Sequence, residues 1–385
     1  MRLLRRGNAM TMKRRGHGEG SIYRRKDGRY TAAITLENRK RKYFYGDTRR
    51  EVQEKLKVAL REQQQGTLAT GPQQSLKSYL EEWLEQVYRP TIKPLTYQQC
   101  HSAVYHHLIP ALGSIPLQKL TAAQVQKLCT QKLDEGLAPR TVAVIHAMLH
   151  RALENAVKWG LVSRNVAKLV TLPRVERYNA QTLTVEQAEK LLNVAQVSRY
   201  RTLLLMAMTT GMREGELLAL HWEDIDFDQS IVFVHRTVSR ITGRGHVESE
   251  PKTRTSRRRI VLPDVTLKAL QEHKKFQEQI RLKAAHKWSE RGLVFANNHG
   301  SYLSADWMRT IFHRMLVEAG LPYMRFHDLR HSAATILLAA GVHPKMVQEL
   351  LGHSTISMTM DVYSHVLPSM QQEMAKKMDG LFKLK

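Results

Sequence analysis

The stretch FHDLRHSAATILLAAG, residues 326–341, constrains this chain more than any other. Beyond Ser332 it is apolar on almost every side for two helical turns, so as a helix it cannot lie on a surface and must be buried in a core. Its first turn is nevertheless polar. At helical spacing i, i+3 and i+4, His327, Arg330 and His331 point into the same space. A buried helix start also carries free N–H groups and a partial positive charge, both favourable to an anion such as phosphate. A helix that hides its body and opens a cationic first turn is built to meet negative charge.

Composition agrees with that reading. Lys and Arg total 60 against 35 acidic residues, a formal net charge of +25. So large an excess points to a polyanionic partner, nucleic acid first and anionic membrane second. No apolar run approaches a membrane span, and the start MRLLRRGNAM leads into further charge instead of a signal-peptide core. A soluble, cytoplasmic protein is expected, nucleoid-associated if bacterial. Cys100 and Cys129 lie far apart in helical contexts, so neither a disulfide framework nor a Cys-based zinc site is indicated.

At 385 residues the chain exceeds one typical core. Two polar stretches, GTLATGPQQ at 66–74 and TLPRVERYNAQ at 171–181, read as linkers and leave three domains at 1–65, 75–170 and 182–385. Residues 1–50 hold 16 Lys plus Arg against 4 Asp plus Glu, a net +12. Residues 1–15 are expected to be disordered. SIYRR, RYTAAITL and RKYFYG, separated by polar turns, predict a three-stranded antiparallel sheet. TRRE at 48–51 is a capping-box pattern, and Val52, Leu56, Ala59 and Leu60 form a helical stripe that can cover one face of the sheet. The other face would present Arg, Lys and Tyr to a DNA major groove, with Arg24, Arg25, Arg29, Arg39 and Arg41 the candidate contacts. Residues 75–170 read as a bundle of about four helices, the first capped by Ser75. They hold no polar constellation that suggests chemistry, and the adjacent His106 and His107 point apart. The last segment is mainly helical with a small antiparallel sheet, in which SIVFVHRTV and RRRIVLP enclose a basic turn. The fold class is thus multidomain, mainly α with small β-sheets (α+β).

In the last segment, TTGMREGE places Arg213 at a helix start with Glu214 and Glu216 near enough to orient it. PKT places Lys252 on a hairpin, LLGHS places His353 after the helix-ending Gly352, and DVYSH holds Tyr363 ten residues later. Each is weak alone. Together and in this order they resemble the catalytic domain of the tyrosine recombinases, the phage and transposon integrases. The resemblance covers residues 182–370, and the basic sheet-plus-helix looks like the arm-binding domain of integrases that recognise two types of DNA site. RNVAKL, residues 164–169, lacks the Asn-Pro often found before the interdomain linker in related proteins.

The resemblance implies a site-specific recombinase that integrates or excises a mobile element through a covalent 3′-phosphotyrosyl intermediate. Arg213 and Arg330 would be the paired arginines, Lys252 the hairpin lysine, His327 and His353 the two histidines and Tyr363 the nucleophile. Glu216 and His331 would support them. No metal and no cofactor is implied. The implied partners are double-stranded attachment sites of core and arm types, a homotetramer on two duplexes, and an accessory DNA-bending or directionality protein. The residue types suit that chemistry. Guanidinium groups hold two phosphate oxygens bidentately and stay charged. A lysine among cations can protonate a leaving 5′ oxygen. A phenol forms a phosphodiester reactive enough to be reversed without ATP. Two rivals compete: a binding-only architectural protein, which leaves Tyr363, Lys252 and the arginines unexplained, and a zinc hydrolase using His327, His331 and His353, against which Arg330 on the same face would repel a dication. A topoisomerase would share the tyrosine chemistry, and strand exchange between two sites separates it from a recombinase.

Overall fold

The computed structural model describes residues 20–35, 41–64, 73–176, 178, 180–196, 198–250, 256–357 and 359–360. The chain forms two compact units, Met1–Glu176 and Arg177–Lys385.

The first unit opens with strands β1 (Ser21–Arg24), β2 (Tyr30–Thr35) and β3 (Arg41–Gly46), antiparallel in that order, followed by helix α1 (Arg49–Gln64). The Thr48 hydroxyl accepts from the Glu51 N–H, while Glu51 reaches back to the N–H of Asp47, one residue before the position a full capping box would use. Val52, Leu56 and Ala59 bury themselves on Ala32 and Ile34, as the helical stripe requires. The register pairs Thr31 with Tyr23 and Tyr45, and Ala33 with Tyr43, so the tyrosines share the face away from α1 with Arg41. Arg25 lies over the Tyr45 ring. Arg24 falls on the other parity, with Ile22, and its Nε donates to the Gly28 carbonyl at 3.1 Å. Arg29 is paired with Asp27 at 3.2 Å. Arg39 lies outside the described residues, as do residues 1–15.

Helices α2 (Leu76–Glu82), α3 (Pro94–Ser102), α4 (Ile109–Leu112), α5 (Ala122–Asp134) and α6 (Pro139–Lys158) build the rest of this unit around Leu80, Trp83, Leu84, Val104, Leu108 and Leu149. Ser75 caps α2, its hydroxyl accepting from the Ser78 N–H. Two helical runs widen into π turns, Trp83–Tyr88 after α2 and Ala103–Leu108 between α3 and α4. In each case a proline, Pro90 or Pro110, follows two residues later. A proline ring collides with the carbonyl four residues back, and a widened turn moves that carbonyl aside. The RNVAKL turn holds without its proline: Asn165 accepts from the Ala167 N–H and donates to the His150 carbonyl and to Glu154.

The second unit comprises α7 (Val185–Val194), α8 (Arg201–Thr210), α9 (Glu214–Leu218), strands β4 (Ile225–Asp226) to β8 (Arg258–Val261), α10 (Asp264–Ala284), α11 (Ala305–Glu318), α12 (Asp328–Ala339) and α13 (Pro344–Leu351). SIVFVHRTV, expected as one strand, is two: β5 (Ile231–Val234) pairs with β4 and β8, and β6 (Thr237–Ile241) pairs with β7 (Gly245–Ser249) in a separate hairpin. The break falls at His235 and Arg236, where Arg236 turns to Glu223 and Asp224 at 2.6 and 2.9 Å. Gly243 and Gly245, both at positive φ, supply the β6–β7 turn. Helix α11, capped by Ser304, was not anticipated from the sequence; Met308, Phe312, Met315 and Leu316 fix it in the core.

Candidate active site

Helix α12 carries His327, Arg330 and His331 on and just before its first turn. Arg330 is 4 % exposed, and its Nη1 donates to the Gly211 carbonyl at 2.7 Å. Gly211 ends α8 in the left-handed conformation, φ 59°, and a Cβ there would stand 2.3 Å from Leu351 Cδ2. Glycine is therefore required at this point both for its φ and for the close approach of α13. The Nη2 of Arg330 is buried and has no hydrogen-bond partner among the described residues. Burial, and then the charges of Arg213 and Arg258, bring its pKa down to about 9. A site that strains a guanidinium in this way relaxes when an anion arrives.

Arg213 caps α9. Its Nη1 pairs with Glu216 Oε1 at 2.7 Å, its backbone N–H donates to the other carboxylate oxygen, and its Nη2 reaches the Gly352 carbonyl at 3.4 Å. Glu216 is 2 % exposed. Burial would raise its pKa, but the Arg258 and Arg213 charges outweigh that and hold it below the usual carboxylate range. Glu214, expected beside Arg213, turns to Arg309 instead at 3.0 Å. Arg258 is the residue that the sequence reading missed. Its side chain bonds Glu216 at 3.0 Å, the Leu350 carbonyl at 2.6 Å and the Ser256 carbonyl at 3.2 Å. The signal was present in RRRIVLP, because Arg258 shares its strand parity with the buried Ile260 and Leu262 and so points inward.

Helix α13 ends at Gly352, φ 66°, and hands over to His353. His353 is buried, with Nδ1 against the Thr359 hydroxyl at 2.9 Å. Burial, with Arg330 and Arg213 behind it, lowers its pKa to about 3, so the ring is neutral. His327 stands at the N-terminus of α12 with its ring edge-on to His331, centroids 5.6 Å apart. Packing around the His327 ring and the nearby His331 and Arg330 charges push its pKa down while the Asp328 carboxylate opposes them, and the residue keeps an exposed edge. His331 meets His327, while the hydrogen bond that fixes Arg330 comes from Gly211. Lys252 and Tyr363 lie outside the described residues. Among the described residues no three His, Cys, Asp or Glu side chains converge as metal ligands. None of their helices is long and apolar enough to cross a membrane.

The chain brings together two arginines, a buried carboxylate that orients one of them, and two neutral histidines, around the start of a buried helix. Comparison with known proteins gives this arrangement its context. The phage integrase family matches residues 181–370, and the phage integrase N-terminal SAM-like domain matches residues 75–133. A tyrosine recombinase XerC-like protein of Caldanaerobacter subterraneus subsp. tengcongensis is 30% identical over 92% of this chain and 96% of its own length. An integrase of Streptomyces ambofaciens is 31% identical over 96% of this chain and 98% of its own. Among solved structures, the Tn1549 transposon integrase in complex with transposon right end DNA matches with a TM-score of 0.67 at 22% identity, covering 78% of this chain and 100% of that one. A lambda integrase dimer bound to a COC′ core site matches at 0.58 and 19% identity, covering 89% and 93%. The structural likenesses establish a shared fold, and the sequence matches along nearly the whole chain establish kinship: the chain belongs to the phage integrase family of tyrosine recombinases and is a site-specific DNA recombinase.

Proposed function

We propose that the α12 site cuts DNA by in-line attack of the Tyr363 phenol oxygen on a scissile phosphorus. The new bond is a 3′-phosphotyrosyl ester, and the bond broken is that to the 5′ oxygen. Lys252 gives the leaving oxygen its proton, and His327 takes the proton of the phenol. Arg213 and Arg330 hold the two non-bridging oxygens, where charge accumulates, and His353 donates a further hydrogen bond. The observation that carries this reading is the buried Nη2 of Arg330, a charged donor unpartnered among the described residues and beside Arg213. A protein that only bound DNA would gain nothing by burying a guanidinium with a donor unmet.

The separate apolar clusters beneath the N-terminal sheet and within the helical bundle support a division into an arm-binding domain at 1–65, a core-binding domain at 75–170 and a catalytic domain at 182–385. Core and arm duplexes, a homotetramer and an accessory DNA-bending protein complete the proposed assembly, acting on nucleoid DNA in the cytoplasm. A lambda integrase tetramer bound to a Holliday junction is among the solved structures of this fold.

The test uses a nicked core site whose short strand diffuses away after cutting, so that the adduct accumulates. Wild type should become joined to a 3′-phosphate at Tyr363, and Tyr363→Phe should form no adduct while still binding DNA. Arg330→Lys keeps a charge but loses the fork, and should slow adduct formation by about two orders of magnitude or more. An adduct in Tyr363→Phe, or an Arg330→Lys rate within a few-fold of wild type, would remove these roles.

A further inference from the structure

The first turn of α12 is clasped by the chain that enters the second unit. Asp328, between His327 and Leu329, is fully buried at 0 % exposure, and a buried carboxylate must have its lone pairs met. Three of its hydrogen bonds come from the neighbouring Arg325: the backbone N–H at 2.9 Å, Nε at 3.3 Å and Nη2 at 2.9 Å. The remaining one, among the described residues, comes from 150 positions away, where the Tyr178 hydroxyl donates to Oδ2 at 2.7 Å. The Arg325 guanidinium lies 3.5 Å from the centroid of the same tyrosine ring. One turn along α12, the Ser332 hydroxyl donates to the Asp328 carbonyl and accepts from the Leu183 N–H, both at 3.0 Å. Residues 178 and 183 are therefore bolted to two successive turns of the helix that carries His327 and Arg330. Upstream, Thr171 is held by a reciprocal pair of hydrogen bonds to the Gln126 side chain.

We propose that Tyr178 is a positioning residue for strand cleavage: through Asp328 and Arg325 it fixes the rotation of the first α12 turn, and with it the placement of His327 and Arg330 against the scissile phosphate. The proposal rests on the roles assigned to those two residues above. The arrangement adds little apolar burial, because Tyr178 is 52% exposed and belongs to no apolar cluster among the described residues. A half-exposed phenol in hydrogen-bond contact with a fully buried carboxylate sets geometry more than it adds burial energy.

The experiment measures adduct formation on the nicked core site at saturating full-length protein, with core-site affinity and thermal unfolding measured alongside. Tyr178→Phe removes the hydroxyl and keeps the ring over Arg325, and should slow cleavage roughly fivefold. Tyr178→Ala removes both, and should slow it roughly twentyfold. Affinity should stay at the wild-type value in each, and the melting temperature should fall by only a few degrees, about what one lost hydrogen bond costs. The acid limb of the pH–rate profile should also move to higher pH in Tyr178→Phe. Asp328, faced by Tyr178, Arg325, His327 and His331, would lose one of the hydrogen bonds that hold its carboxyl below the usual range despite burial. Rates within twofold of wild type in both variants, with an unmoved acid limb, would overturn the proposal. So would a loss of rate matched by equal losses of affinity and melting temperature, which would make Tyr178 a structural residue. Arg330→Lys serves as the control: if it cleaves normally, the reading of the site has failed, and if it is dead while Tyr178→Ala is normal, only the clasp has failed.

Discussion

Arg258 shows how much of this site's geometry rests on a side chain whose hydrogen bonds among the described residues all go to protein groups. Its guanidinium joins β8 to Glu216 beside Arg213 and to the last turn of α13 ahead of His353. Lysine would keep the charge but could not span three acceptors in a plane. Arg258→Lys should therefore leave core-site affinity near wild type and slow adduct formation by roughly tenfold to a hundredfold, read in single turnover. Free guanidinium added to Arg258→Ala should restore part of the rate, and no restoration would count against the positioning role. The histidines make a second prediction. A ring whose folded pKa is depressed resists protonation that the unfolded chain accepts, so stability is complete above the unfolded value near 6.5 and falls as pH drops below it. For His353, whose folded pKa is about 3, the loss should run from about pH 6.5 down to about pH 3. Denaturant unfolding across that window should show a shallower decline in His353→Gln.

Among the elements, the β6–β7 hairpin is the one whose role the sequence concealed. The α12 turn was legible because i, i+3 and i+4 spacing and an all-apolar body need no partner to be recognised. Arg213 and Gly352 were legible for the same local reason, one as a helix start and the other as a helix stop. The hairpin depends on contacts distant in sequence. Glu248 on β7 accepts from the Tyr302 hydroxyl at 2.8 Å and meets His221 Nε2 at 2.9 Å, and Gly215 of α9 leaves a Cβ no room against Thr237 Oγ1 at 2.5 Å. No periodicity announces such a latch, and SIVFVHRTV has strand propensity throughout, so a single strand was the natural expectation. Helix α11 carries the same kind of local signal as α12, since Met308, Phe312, Met315 and Leu316 stand at i, i+4, i+7 and i+8 behind the Ser304 cap, and the sequence reading passed over it. The latch predicts that Glu248→Gln, which weakens the His221 contact but keeps an acceptor for Tyr302, will loosen the base of the hairpin that precedes Lys252. Amide exchange over β6 and β7 should rise while α8 and α12 stay protected. Uniform protection identical to wild type would show that the hairpin holds without it.

Across the whole chain, charge is unevenly spread toward the N-terminal segment. Of the net +25, residues 1–50 carry +12, and the described part of that segment packs its apolar groups on α1 while facing Tyr23, Tyr43, Tyr45 and Arg41 the other way. Thr31 and Ala33, on the central strand of that face between the paired tyrosines, are 1% and 4% exposed. On the proposed arm-binding role, the aromatic rings of this face would meet a groove floor while Arg41 at its margin takes a phosphate. Removing residues 1–65 should abolish binding to a distal arm-type duplex and leave core-site binding and Tyr363 adduct formation in place. In the full chain, arm-site affinity should fall with salt by about 0.9 in log K per log salt for each phosphate neutralised. Tyr43→Ala should lower arm affinity with that slope unchanged, since it removes no charge, whereas Arg41→Ala should reduce the slope by about one contact. Titrating both variants at several salt concentrations separates groove recognition from phosphate attraction. Identical slopes and identical losses would mean that the tyrosine face plays no part distinct from the charge around it.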